Sequence, residues 1–256
     1  MRLARYITAS MLCLVGLAAT AADVPNVAAA SDLQFAMEEL AGAFTRDTGR
    51  HVRLTFGSSG NFRRQIAQGA PFELFLSADE SYVDALVREG RTRDAGVVYA
   101  VGRIALVTSS GSPVVPDSDF AGLRQALAQG VVTRFAIANP EHAPYGRAAR
   151  EALINAGLWE GVRGKLLLGE NVAQAAQFAL TPDVQAGIIS YAHARAPALA
   201  QRSRFALIAE TWHAPLRQRM VLMKNAGATA TAFYTYMQQP GARGILSRYG
   251  FGLPVS

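Results

Sequence analysis

Cysteine is nearly absent from this 256-residue chain, and its single copy, Cys13, sits inside the first apolar run. That excludes a disulfide and leaves no thiol chemistry for the rest of the chain. Lysine is almost as scarce: Lys165 and Lys224 are the only two, so the net charge of +6 rests on arginine. The arginines are scattered (Arg63-Arg64, Arg147, Arg150, Arg195, Arg202, Arg204, Arg217, Arg219). They build no dense stripe of the kind that tracks a nucleic-acid backbone, so no nucleic-acid partner is expected. His51, His193 and His213 lack metal-ligand spacing. No apolar run reaches the ~20 residues that span a bilayer.

What is present suits a compact core. Half of the residues are hydrophobic and 17% are charged, and the length allows one large domain or two lobes. The start is of another kind. Met1 to Arg5 is basic, Tyr6 to Leu17 is almost wholly apolar, and Ala18 to Ala22 are small. This three-part pattern predicts a cleavable secretory signal over residues 1–22, cut after Ala21 or Ala22, and an exported protein. Leu12 ahead of Cys13 is too bulky for the usual lipoprotein cleavage pattern, so no lipid anchor is expected.

Beyond the leader, strand and helix signals alternate. Val24 to Ala30 reads as a strand, and Leu33, Met37, Leu40 and Phe44 then recur with helical period. Ser31 and Gln34 fit a capping box at the start of that helix. Further strands are predicted at His51–Phe56, Phe72–Leu76, Gly102–Thr108, Arg134–Ala138, Lys165–Leu168, Ala186–Ser190, Phe205–Ala209 and Met220–Met223. Helices follow Gly57-Ser58-Ser59-Gly60, Asp79, Pro144 and Asn171, and two more, broken at Pro240-Gly241, end the chain. Such alternation argues an α/β fold with mainly parallel sheets, in which ligands sit beyond the carboxyl ends of strands.

Four segments place small polar residues at such ends. They are Ala28-Ala29-Ala30-Ser31, Phe56-Gly57-Ser58-Ser59-Gly60, Asn139-Pro140-Glu141-His142-Ala143-Pro144-Tyr145-Gly146 and Gly169-Glu170-Asn171-Val172. A helix N-terminus offers unpaired N–H groups and about half a positive charge, so four converging ends could balance a dianion without any lysine or arginine. A dianion that carries no proton wants donors only, and a buried carboxylate beside it would repel. Helix capping alone is the plainer role for Ser31, Ser59 and Asp79. A secreted serine hydrolase using Ser59, His142 and Asp79 is a remote rival. The Gly57-Ser58-Ser59-Gly60 turn lacks the residue that separates serine from the second glycine in a nucleophile elbow.

These segments, with Gln65 to Pro71, Leu76-Ser77-Ala78-Asp79-Glu80 and Arg248-Tyr249-Gly250-Phe251, resemble in order and spacing the periplasmic molybdate-binding proteins of ABC transporters. The resemblance covers essentially the whole chain after the leader. It implies a type II periplasmic binding fold: two lobes, each with a mixed, mainly parallel sheet flanked by helices, closing on one tetrahedral oxyanion. Lobe I would take residues 23–106 plus 219–256 and lobe II residues 107–218, with closure about the strands near Leu106 and Val221. By position, Ser31 and Ser59 match the family's ligand-binding serines, and Tyr145 and Val172 fall where it uses backbone N–H groups. The family's Gly-Ile-Val-Tyr pattern reads Gly187-Ile188-Ile189-Ser190-Tyr191 here, which leaves either Ser190 or Tyr191 to complete the shell. Molybdenum would be held only as its oxyanion, so none of these residues is a metal ligand. The resemblance implies molybdate or tungstate as cargo, no cofactor, no catalysis, a monomer and a membrane permease as partner. Sulfate is the alternative cargo.

Overall fold

A computed structural model of the chain describes residues 24–254, so the signal peptide expected over residues 1–22 lies outside the described residues. The chain builds two five-stranded sheets, each flanked by helices. In the first lobe, β1 (Asn26–Ala30) passes through one 3-10 turn (Ser31–Leu33) into α1 (Gln34–Thr48). Then β2 (Arg53–Gly57) leads into α2 (Ser59–Ala67), β3 (Leu74–Ser77) into α3 (Glu80–Arg88), and β4 (Val97–Gly102) follows. The second lobe opens with β5 (Ile104–Ser109), α4 (Ala121–Ala128), β6 (Phe135–Ala138) and α5 (Pro144–Asn155). It continues through α6 (Trp159–Val162), β7 (Leu166–Gly169), α7 (Val172–Ala179) and β8 (Ala186–Ser190). The short α8 (Tyr191–Arg195) and α9 (Pro197–Ala200) and the strand β9 (Ser203–Leu207) complete it. Finally β10 (Leu216–Leu222) returns to the first sheet, and α10 (Ala228–Tyr236) and α11 (Pro240–Arg248) pack on β10 and α1.

The two lobes repeat one plan. Strand order is β2-β1-β3-β10-β4 in the first sheet and β7-β6-β8-β5-β9 in the second. In each, three neighbours run parallel, and the strand beside them (β10 or β5) is antiparallel to both of its partners. Helices cover both faces, so β3, β6 and β8 are buried at every residue and read as apolar runs without alternation. One strand was not expected. The strand read over Gly102–Thr108 forms as β5, but β4 precedes it, and Arg103 separates the two, which belong to different sheets. The chain therefore crosses between lobes at Arg103 and again over residues 208–215, not at 106/107 and 218/219 as expected.

Four helices were not anticipated, α4 and the short α6, α8 and α9. The Asp117 carboxylate accepts the Ala121 and Gly122 N–H groups at 2.8 and 2.6 Å, starting α4 from outside the helix. Between them Phe120 takes φ 65, a left-handed turn that masks the helix start in the sequence.

Candidate functional site

All four polar segments meet at one place. A cavity of about 10 Å³ lies between the sheets, at the carboxyl ends of β1, β2, β6 and β7. Ala30, Ser31 and Asp32 line it from β1, and Gly57, Ser58 and Ser59 from β2. Ala78 follows β3, while Ala143, Pro144, Tyr145 and Val172 close it from the second lobe. No lysine or arginine is in the lining. This is well below the roughly 300–1,000 Å³ of a site for a drug-sized ligand.

Local sequence chemistry leaves the right donors free. Pro144 occupies the first position of α5 and has no N–H, so Tyr145 carries the first free donor of that helix. Asn139 shapes the loop ahead of it, accepting the Glu141 N–H on its side chain at 3.0 Å and the Ala143 N–H on its carbonyl at 2.9 Å. In α7 the Asn171 side chain accepts the Ala173 and Gln174 N–H groups at 3.0 and 3.1 Å. Val172, the first residue of the helix, keeps its N–H unclaimed. Ser59 is 1% exposed, and its Oγ accepts the Ala78 N–H at 2.9 Å. One lone pair is thus used and the hydroxyl proton remains to donate. The expected capping box at Ser31 and Gln34 does not form: neither the 3-10 turn nor α1 has a side-chain cap. The Ser31 hydroxyl is buried at the cavity wall and has no cap to hold.

Contacts across the cleft show the lobes closed. The Gly60 N–H donates to the His142 carbonyl at 3.0 Å, and Ser58 Oγ lies 3.0 Å from His142 Nδ1. Asn61 bonds Glu170, and Arg147 pairs with Asp79. Beneath the cavity, the Tyr145 phenol crosses to the first lobe and donates to Asp32 Oδ2 at 2.8 Å. Gln218 Nε2 donates to the same oxygen at 2.6 Å, and Tyr99 donates to Gln218 Oε1 at 2.8 Å. Gly102 makes room for this network, because a Cβ there would lie 2.3 Å from the Tyr145 Oη. Burial raises Asp32 to about 6, outweighing the hydrogen bonds from Gln218 and Tyr145 that lower it. Burial, then the neighbouring Asp32, pushes Tyr145 well above the usual tyrosine value, so its phenol stays a donor. A carboxyl in a wall expected to hold donors only is the residue that sequence reading missed.

With this geometry in view, a family model described as bacterial extracellular solute-binding protein matches residues 25–252. The chain belongs to that solute-binding family. The molybdate-binding protein ModA of Azotobacter vinelandii is 34% identical over 254 residues, covering 98% of each chain. ModA of Rhodobacter capsulatus is 36% identical over 248 residues, covering 95% of this chain and 94% of that one. The solved periplasmic molybdate-binding protein of A. vinelandii superposes with a TM-score of 0.82 at 28% identity, over 90% of this chain and 100% of that one. The family and the two-lobed binding-protein fold read from the sequence both hold.

For this solute-binding protein the fifth expected position does not join the site. Ser190 is fully buried, caps α8 by accepting the His193 N–H at 3.2 Å, and sits 2.7 Å from His193 Nδ1. Tyr191 packs edge-on against Phe205, with Arg195 over its ring. Neither residue lines the cavity. A tyrosine does reach the site, but it is Tyr145, from another helix. The relay of the hydrolase rival is also unformed: His142 bonds Ser58 instead of Ser59, and Asp79 caps the Ser81 N–H and pairs with Arg147. Among the described residues no helix is long and apolar enough to cross a membrane.

Proposed function

We propose that this protein is a periplasmic receptor that captures molybdate, and equally tungstate, and hands it to the permease of an ABC importer. The observation that carries this reading is the convergence of four helix starts, two from each lobe, on one small cavity with no basic side chain in its lining. The Ser31 and Ser59 hydroxyls and the N–H groups of Tyr145 and Val172 are the proposed donors. Hydrogen bonds to a charged group contribute about 1.5–3 kcal/mol each, so a handful supports tight binding. The oxyanion is the cargo and no cofactor is involved. The site is proposed to bind without catalysis, the protein to act as a monomer, and residues 1–22 to direct its export. The relatives whose names carry molybdate support the choice of cargo.

Rigid donors on helix ends also set a size. Sulfate, a smaller dianion, leaves at least one of them unpaired, which costs roughly ten- to a hundredfold in affinity. Calorimetric titration of the purified protein with molybdate, tungstate, sulfate and phosphate at pH 7 checks this. One molybdate or tungstate should bind per chain, with sulfate and phosphate at least tenfold weaker. Sulfate or phosphate binding without molybdate would overturn the cargo while keeping an anion receptor.

A further inference from the structure

Asp32 does not fit a wall of donors if it is a carboxylate. It is 1% exposed, lies in the cavity lining beside Ser31, and has no cation among its partners. Both of its hydrogen bonds, from the Tyr145 phenol and the Gln218 amide, fall on Oδ2. Its other oxygen, Oδ1, is buried with no partner. An ionised carboxylate spreads its charge over two equivalent acceptors, and leaving one buried and bare is costly. A neutral acid divides its oxygens differently, into a carbonyl that accepts and a hydroxyl that donates. Oδ1 is thus left over in the cavity lining, and as a hydroxyl it could donate to an oxyanion there.

Resting on the oxyanion reading above, we infer that Asp32 holds the bound oxyanion as a neutral acid, its Oδ2 accepting from Tyr145 and Gln218 and its Oδ1 presenting a proton to the ligand. The free carboxylate takes that proton from solvent as the dianion enters, so capture consumes one proton and changes no other bond. Asp32 thereby becomes a specificity determinant. As an acid it adds a donor for a fully deprotonated oxyanion; as a carboxylate it would favour a ligand that brings its own proton, as hydrogen phosphate does.

The surroundings supply no competing charge. Around the Ser31–Leu33 turn, α7 brings no titratable group, and Arg53 of β2 bonds Asn26 at the far end of its strand. On α1, Glu39 pairs with Arg248 and Glu38 is exposed. On α8, Arg195 lies over Tyr191, and burial lowers His193 to about 4, so it is neutral. On α5, Arg147 pairs with Asp79 and Arg150 with Glu141. Arg217 and Arg219 point to the face of β10 opposite Gln218, where they pair with Glu80 and Asp84. Tyr99 of β4 is held neutral by burial, and His142 lies beyond Ser58.

Burial already holds Asp32 at about 6 without ligand, and a dianion in contact raises it further. Above that value the bound protein holds more protons than the free one, so affinity falls as pH rises, by up to about tenfold per unit. Titration with sodium molybdate between pH 6.5 and 8.5, in two buffers of different ionisation enthalpy, reads the proton directly. The native protein should take up close to one proton per molybdate at pH 8. Asp32→Asn keeps the carbonyl acceptor and supplies an N–H donor, so it should take up none, bind independently of pH and bind more tightly than native at pH 8. Molybdate binding by the native protein without proton uptake overturns the inference and leaves the receptor reading intact. Equal uptake by native protein and variant also overturns it, moving the proton to another group. Failure of the native protein to bind molybdate at any pH defeats the receptor reading itself.

Discussion

Ser59→Asp should leave the protein folded and strip it of measurable affinity for molybdate. Ser59 is the first residue of α2, a position where a negative charge favours the helix macrodipole, and an aspartate there can still accept the Ala78 N–H. Stability is therefore spared. The ligand meets a carboxylate where it had a donor. Two unit charges about 4 Å apart interact by ~4 kcal/mol at an effective dielectric of about 20. A dianion feels that repulsion twice over, so affinity should fall by roughly a thousandfold or more. Calorimetry for binding and circular dichroism for folding check the two halves separately. Unchanged affinity would remove Ser59 from the pocket.

The second large effect comes from a residue that touches no ligand. The Gly60 N–H donates to the His142 carbonyl across the cleft, and a Cβ at Gly60 would lie 2.6 Å from that carbonyl oxygen and 3.0 Å from the His142 Cα. Both obstacles are backbone, so neither can swing aside. In an open cleft the Tyr82 hydroxyl of the same lobe remains 3.0 Å from that Cβ, on a side chain that can shift, and valine suits a helix somewhat better than glycine. Gly60→Val should therefore leave the melting temperature of the ligand-free protein close to native. Overpacking of this kind costs about 1–3 kcal/mol, and the upper end is roughly a hundredfold in affinity. Small-angle scattering should show the native protein compacting on saturation with molybdate, about crossings at Arg103 and residues 208–215, while the variant compacts less. Native-like affinity and compaction in Gly60→Val would mean that the Gly60–His142 contact is no part of closure.

Much of the site was legible because its signals are local. A proline at the first position of α5, an asparagine before α7 and serines at the ends of β1 and β2 act within a few residues of themselves, and all four segments line the cavity. Asp32 was not legible, although it adjoins Ser31. Its standing depends on Tyr145 and Gln218, 113 and 186 positions away, and nothing near it in the chain distinguishes a buried acid from a surface one. Ser190 and Tyr191 were placed by alignment to a pattern, yet the hydroxyl of Ser190 is spent on capping α8 and on His193. β4 was missed for a different reason: Val97-Val98-Tyr99-Ala100-Val101 is an apolar run without the alternation that marks a strand.

The central claim is that one oxyanion is held between the starts of four helices. The most direct measurement is a crystal structure of the protein soaked with sodium tungstate, with tungsten located by its anomalous scattering. The account predicts one tungsten site, its oxygens about 2.7–3.1 Å from the Ser31 and Ser59 hydroxyls and from the Tyr145 and Val172 nitrogens. A tungsten site elsewhere, or none at all, would contradict it.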